Sequence, residues 1–108
     1  MIFKQGDIVI VSFDPTLGHE QAGLRPALVV SKELYNQVTN QIVVCPITSR
    51  VKPLPMRIML DERTKTQGYI MCDQIRTFDI NARNPKFAEK IPQDILETVR
   101  QTVSAIII

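Results

Sequence analysis

The chain has 108 residues, of which 44% are hydrophobic and 22% charged, the composition of a folded globular protein and not of a disordered or membrane-spanning one. A domain takes roughly 100–200 residues, so a single domain over 1–108 is expected, too small to house a cofactor domain beside a substrate domain. The formal net charge of +2 is too mild to announce a nucleic-acid binder. Its distribution is uneven, because nine Lys and Arg against five Asp and Glu fall between Arg50 and Lys90. A basic half suits an anionic partner, and it equally suits a solvated loop region.

Asp7–Phe13 is β-branched, follows Gly6 and stops at Asp14-Pro15, the pattern of a strand. The stretch from Asp14 to Pro26 is polar at its centre, is punctuated by Pro15, Gly18 and Gly23, and holds the only histidine, His19. Connections of that length are often functional. Pro26–Ser31 reads as a second strand, and Glu33–Asn36 as one short helical turn. Gln41–Ile47 is a third strand in which Pro46 implies an edge, a bulge or the strand's end. Arg57–Leu60 is a fourth, and Tyr69–Asp73 with Ile75–Ile80 suggests one or two more. Short strands at turn-rich intervals favour a small barrel or a strongly twisted sheet. The period then changes. Ile91, Ile95, Leu96, Val99, Val103, Ile106 and Ile107 recur at spacings of three and four, one face of a helix. Pro92 suits its first turn, Asp94 complements its positive end, and the whole stripe is expected to be core.

Cys45 and Cys72 each sit in an apolar run without Cys-x-x-Cys spacing, so two buried thiols on neighbouring strands are expected. No secretory segment opens the chain and no apolar run approaches the ~20 residues that span a bilayer. A reduced, cytoplasmic protein with no membrane contact is the expectation.

One histidine and two buried cysteines leave no first shell for zinc. No glycine-rich phosphate loop or nucleophile elbow is present. Neither metal nor cofactor is therefore expected. What remains is acid, base and electrostatic chemistry from His19, Glu20 and Arg25, from Thr48-Ser49-Arg50, and from Asp73, Gln74 and Arg76. RNA suits such an inventory because it brings its own nucleophile. An enzyme need only take the 2′-hydroxyl proton, protonate the leaving 5′-oxygen and stabilise the added negative charge on phosphorus. Each residue also has a plainer reading. His19 suits a solvated turn, Glu20 a solvated acid, Arg25 a strand end, Thr48-Ser49 a turn and Asp73 a structural hydrogen-bonder.

At these residues the sequence resembles a known family. Gly6-Asp7-Ile8-Val9 and the run from Phe13 through Gly18-His19-Glu20-Gln21-Ala22-Gly23-Leu24-Arg25-Pro26 to Ser31 closely resemble the opening of the MazF/PemK/Kid toxins of type II toxin–antitoxin systems. Cys45-Pro46-Ile47-Thr48-Ser49, Cys72-Asp73-Gln74-Ile75-Arg76-Thr77-Phe78-Asp79 and the helix over 91–108 follow in the family's order. The resemblance implies a mainly β fold, an SH3-like (CcdB/PemK-type) small β-barrel with a C-terminal helix, usually a homodimer. It also implies metal-free, sequence-specific cleavage of single-stranded RNA, leaving 2′,3′-cyclic phosphate and 5′-hydroxyl ends. By position, Arg25 matches the loop arginine of acid/base catalysis and charge stabilisation, and Thr48 the threonine on the scissile phosphate. His19 and Asp73 match residues assigned to transition-state stabilisation and general base in the Kid branch, and Glu20 a glutamate important in the MazF branch. Ser49, Gln74 and Arg76 are the expected substrate-binding neighbours. The implied protein partner is a MazE/PemI-like antitoxin with a disordered acidic tail, with DNA reached only through that complex. Kid-like members carry an arginine two residues before the motif aspartate; this chain has Met71. Two alternatives stand beside this reading: a CcdB-like gyrase poison, which lacks its Trp-Gly ending here, and an inactive RNA- or partner-binding relative.

Overall fold

The computed structural model of the chain describes residues 2–13, 23–50 and 54–108. In chain order these form β1 (Asp7–Ser12), β2 (Leu24–Val29), α1 (Glu33–Thr39), β3 (Gln41–Thr48), β4 (Arg57–Met59), β5 (Tyr69–Met71), β6 (Arg76–Asp79), α2 (Ile80–Arg83), β7 (Lys86–Lys90) and α3 (Gln93–Ile107). The strands pair antiparallel in the order β4-β5-β3-β2-β1-β7, with β6 on β3 beside β5. This is the SH3-like, barrel-like fold with a C-terminal helix. Its end strands β4 and β7 do not pair with each other, so the barrel stays open.

One irregularity shapes the sheet. Three steps along β3, from Val44 to Ile47, correspond to six along the facing chain, from Arg76 back to Ile70. Three residues therefore leave the ladder between β5 and β6, and the Gln74 N–H donates to the Met71 carbonyl at 3.1 Å to close the turn. Pro46 lies in the part of β3 facing this break; β3 itself runs on through it to Thr48, and the extra residues belong to the facing chain.

Alternation along the strands sorts apolar side chains into two clusters. Ile8, Leu28, Cys45, Ile47, Ile70 and Cys72 pack with Ile91, Ile95, Leu96 and Val99 around α3. Val9, Val11, Phe13, Ala27, Val29, Ile42, Val44 and Phe78 fill the opposite face. Burying each large side chain of the α3 stripe stabilises the fold by about 1.5–3 kcal/mol before entropy. The stripe is core only in its first half. Val103 is partly buried, and Ile106 and Ile107 are 43% and 63% exposed. The helix outruns the sheet, whose rim here is the partly buried Val30 and Ile75.

Three further boundaries differ from expectation. Pro92 caps α3 from outside its first turn. α1 runs on to Thr39 and stops at Asn40, whose φ of 54° is left-handed. β7, Lys-Phe-Ala-Glu-Lys, is an edge strand with no buried residue, so it carries no alternation to find. Both cysteines are buried free thiols, on β3 and just past β5. The register that pairs Ile47 with Ile70 sets Cys45 opposite Cys72. A hydrogen bond with Cys72, together with burial, pushes the Cys45 thiol far above its ordinary range. Among the described residues no helix is long and apolar enough to cross a membrane.

The connection from β4 to β5 is held by charge. The Arg63 guanidinium donates to Asp61 at 2.8 Å and to Asp94, in the first turn of α3, at 2.9 Å. Glu89 of β7 accepts from the Thr66 N–H and hydroxyl, each at 2.8 Å, and from the Lys65 N–H at 3.1 Å. Hydrogen bonds from Arg63 hold both aspartates below the usual carboxylate range. At Glu89 burial pushes upward, but the bonds from Thr66 and Lys65 together outweigh it and leave the group lowered. A carboxylate lowered in the folded state adds stability that is complete above its unfolded value of ~4 and lost as pH falls through the lower folded value. Urea midpoints should therefore drop as pH is taken below ~4, and Arg63→Ala should flatten that drop. Equal acid sensitivity in the variant would remove Arg63 from this role.

Candidate active site

The sheet face away from α3 collects the polar groups. Arg25 lies two residues before Ala27, whose side chain is in the cluster opposite α3, so it shares that face. Thr48 follows Ile47, which points to α3, and therefore points the other way. Ala27 pairs with Pro46; the same register carried two residues further sets Arg25 opposite Thr48. Thr48 also pairs with Tyr69, and Arg57 with Met71, on the same face. The fold thus brings Arg25, Thr48 and the Asp73 turn onto one surface from three separate segments.

Thr48 is 7% exposed, and its hydroxyl oxygen accepts the Arg50 N–H at 3.3 Å, turning the chain out of β3. Ser49 and Arg50 stand exposed at that turn. Gly68 backs Thr48. Its φ is +120°, and a Cβ there would lie 2.5 Å from the Thr48 carbonyl oxygen. Only glycine lets the two backbones approach so closely.

The arginines are arranged around two rings. Phe13 and Phe78 meet edge to face at 5.1 Å between centroids, and both are buried. The Arg25 guanidinium is 5.8 Å from the Phe13 centroid. Arg76 is 5.4 Å from Phe13 and 5.0 Å from Phe78. Arg83 is 4.9 Å from Phe78, and its Nη1 donates to the Ser12 carbonyl at 3.2 Å. Among the described residues none of the three arginines has a carboxylate partner. Such a concentration of positive charge suits an anion.

Asp73 is differently placed. Arg57 reaches across from β4 and donates from Nε to Oδ1 at 3.2 Å and from Nη2 to Oδ2 at 3.3 Å. Both carboxylate oxygens face the guanidinium. Each oxygen keeps a further lone pair, so the aspartate orients Arg57 and can still accept a proton. The chain thus holds an Arg/Asp pair despite Met71. Its arginine comes from the residue paired with Met71 across the sheet. Gln74 is exposed in the same turn. His19 and Glu20 lie outside the described residues. Among the described residues no group of three or more His, Cys, Asp or Glu is placed to hold a metal ion.

Sequence reading missed Arg57, Gly68 and Arg83. Arg57 and Arg83 were visible only as members of the basic half, since nothing local marks a guanidinium that acts across a sheet. Gly68 precedes a strand and gave no sign of the carbonyl it lets approach.

Comparison with known proteins draws these features together. The family model of the PemK-like, MazF-like toxin of type II toxin–antitoxin systems matches residues 4–107. The chain belongs to this family. It is 40% identical over 108 residues to Endoribonuclease PemK of Escherichia coli, covering 96% of this chain and 81% of that protein. The crystal structure of MazF from Deinococcus radiodurans superposes with a TM-score of 0.88 at 35% identity, covering 98% of this chain and 96% of the other. A MazE–MazF complex from the same organism gives 0.87 at 35% identity over the same shares of each chain.

For this PemK-like chain the close approach behind Thr48 gives a direct test. Gly68→Ala should destabilise the fold by about 1–3 kcal/mol and shift the Thr48 amide resonance. An unmoved unfolding midpoint with an unshifted Thr48 amide would show that Gly68 does not position Thr48.

Proposed function

We propose that this chain is the toxin half of a type II toxin–antitoxin system and a metal-independent endoribonuclease that cuts single-stranded RNA at short sequences. The observation that carries the reading is the shared face of Arg25 and Thr48 beside guanidinium groups with no carboxylate partner among the described residues, in a chain whose relatives include a named endoribonuclease at 40% identity. The 2′-oxygen attacks phosphorus as its proton leaves. The P–O5′ bond breaks, the 5′-oxygen takes up a proton, and the products carry a 2′,3′-cyclic phosphate and a 5′-hydroxyl.

In this reading Arg25 neutralises charge building on the phosphoryl oxygens. Arginine stays protonated at neutral pH because its pKa exceeds ~12, so stabilising charge is its natural task. Thr48 donates its hydroxyl to the scissile phosphate, with Ser49 beside it. His19 and Glu20 carry proton transfer and transition-state contacts from the 14–22 segment. Gln74 and Arg76 bind substrate, and the pair of Asp73 with Arg57 presents a fixed cation edge. Buried Phe13 and Phe78 offer bases no stacking surface, so base identity is read by hydrogen bonds to splayed nucleotides.

The same reading assigns a MazE/PemI-like antitoxin whose acidic, disordered tail competes for the basic face. The solved MazE–MazF relative supports such a partner. DNA is met only through that complex, and the protein works in the cytoplasm. The active form is a homodimer. An open apolar groove of about 400 Å³ lined by Val30, Tyr35, Val43, Ile75, Val103 and Ile107 supports a second copy there, as do the exposed ends of Ile106, Ile107 and Ile108.

Arg25→Ala and Thr48→Ala should each lower cleavage of a mixed-sequence RNA by at least ~100-fold while keeping the wild-type unfolding midpoint. Full activity in the Arg25 variant would sink the assignment. EDTA should leave the rate unchanged, and end mapping should find cyclic phosphates at one repeated short site. Light scattering should show a dimer that Ile107→Glu converts to monomer; a wild-type monomer would reject the dimer.

A further inference from the structure

Guanidinium groups and phenylalanine rings alternate in one continuous row: Arg25, Phe13, Arg76, Phe78, Arg83. Cation–π contact explains part of this, since each contact contributes about 0.5–1 kcal/mol at partly exposed sites. It does not explain why three like charges gather on two rings. Their mutual repulsion opposes folding, and among the described residues no carboxylate pairs with any of them. An anion running along the row would offset that repulsion.

Arg83 is held for that purpose more firmly than a surface arginine needs to be. One nitrogen is fixed by the Ser12 carbonyl at 3.2 Å. Its helix, α2, follows β6 directly. The Asp79 carboxylate accepts the Ala82 N–H at 2.8 Å at one end, and left-handed Asn84 closes the other. The side chain is therefore positioned before any ligand arrives, which lowers the ordering cost of binding. The rings beneath are 3% and 2% exposed and cannot accept a base. The row therefore presents charge to a backbone, without an aromatic face.

We propose that Arg83, together with Arg76, forms a second phosphate-binding subsite that holds the RNA backbone one or more nucleotides away from the bond cut at Arg25 and Thr48. This rests on the ribonuclease reading and adds to it a substrate-binding residue with no part in the chemical step. The subsite contributes affinity and register, and it is indifferent to base sequence.

The test uses the full-length protein and a single-stranded RNA carrying a 2′-deoxy nucleotide at the cut position, which prevents cleavage. Binding is followed by fluorescence anisotropy across a sodium chloride series. Each phosphate neutralised on a single strand contributes about −0.7 to the slope of log K against log salt. Arg83→Gln should make that slope less negative by about 0.7, and Arg83→Lys should restore it. Arg83→Met, which keeps an apolar cover on Phe78, should match Arg83→Gln and guards against a folding artefact. On cleavable RNA the Gln variant should raise KM and leave kcat unchanged. A slope unchanged in both Gln and Met variants overturns the subsite, even if affinity falls, because a purely structural arginine would not alter ion release. A loss confined to an acidic peptide such as oligoglutamate also overturns it and assigns the row to a protein partner. Wild-type protein that cuts RNA while the variants keep its slope removes the subsite alone. Wild-type protein that neither binds nor cuts RNA removes both readings.

Discussion

The geometry of the polar face depends on one mismatch: a continuous β3 faces a chain carrying three residues too many. A ladder cannot stretch to absorb them, so they are expelled between β5 and β6, and Asp73 and Gln74 reach the surface. On one side of the break Tyr69 is kept in register with Thr48; on the other, Arg76 is delivered to the two phenylalanine rings. An unbroken strand would swing every later side chain to another height, and the site would come apart although no polar residue had changed.

That break also divides the labour among charges. Arg57 and Asp73 neutralise each other, so their pair is an oriented group and not a surplus of charge. Arg25, Arg76 and Arg83 are balanced by no described carboxylate and set up a local positive field. A weak net charge is compatible with such a field because the acids that offset it are spent elsewhere. Asp61 and Asp94 are taken by Arg63, and Asp7 by Lys90 at 2.8 Å. The electrostatics are thus local, and the total of +2 conceals them.

Much of the fold was legible because it rests on short-range patterns. The β-branched run after Gly6, the apolar run from Pro26 and the helical stripe from Ile91 each fall on an element, although β2 runs Leu24–Val29 where Pro26–Ser31 was expected and α3 starts at Gln93. β7 was not legible because an edge strand with no buried residue carries no pattern to register. The exposed end of α3 was misjudged for a related reason: periodicity reports which face is apolar, and it is silent on where the opposing sheet stops. The candidate residues Arg25, Thr48 and Asp73 were each named from neighbours within their own segment, and the fold puts them on one face. Arg57 meets Asp73, 16 residues away, and Arg83 meets Ser12, 71 residues away, and such relations become visible only once strands are paired.

The pairing of Arg57 with Met71 bears on how relatives of this chain are compared. Counted along the motif, Met71 stands two residues before Asp73, where the family resemblance would place an arginine; counted across β4 and β5, Arg57 stands opposite Met71 and pairs with that aspartate. A guanidinium can reach such an aspartate from either of two neighbouring strands, so an arginine on one can stand in for an arginine on the other. Alignment columns treat such an exchange as decay, whereas the sheet treats it as a change of address.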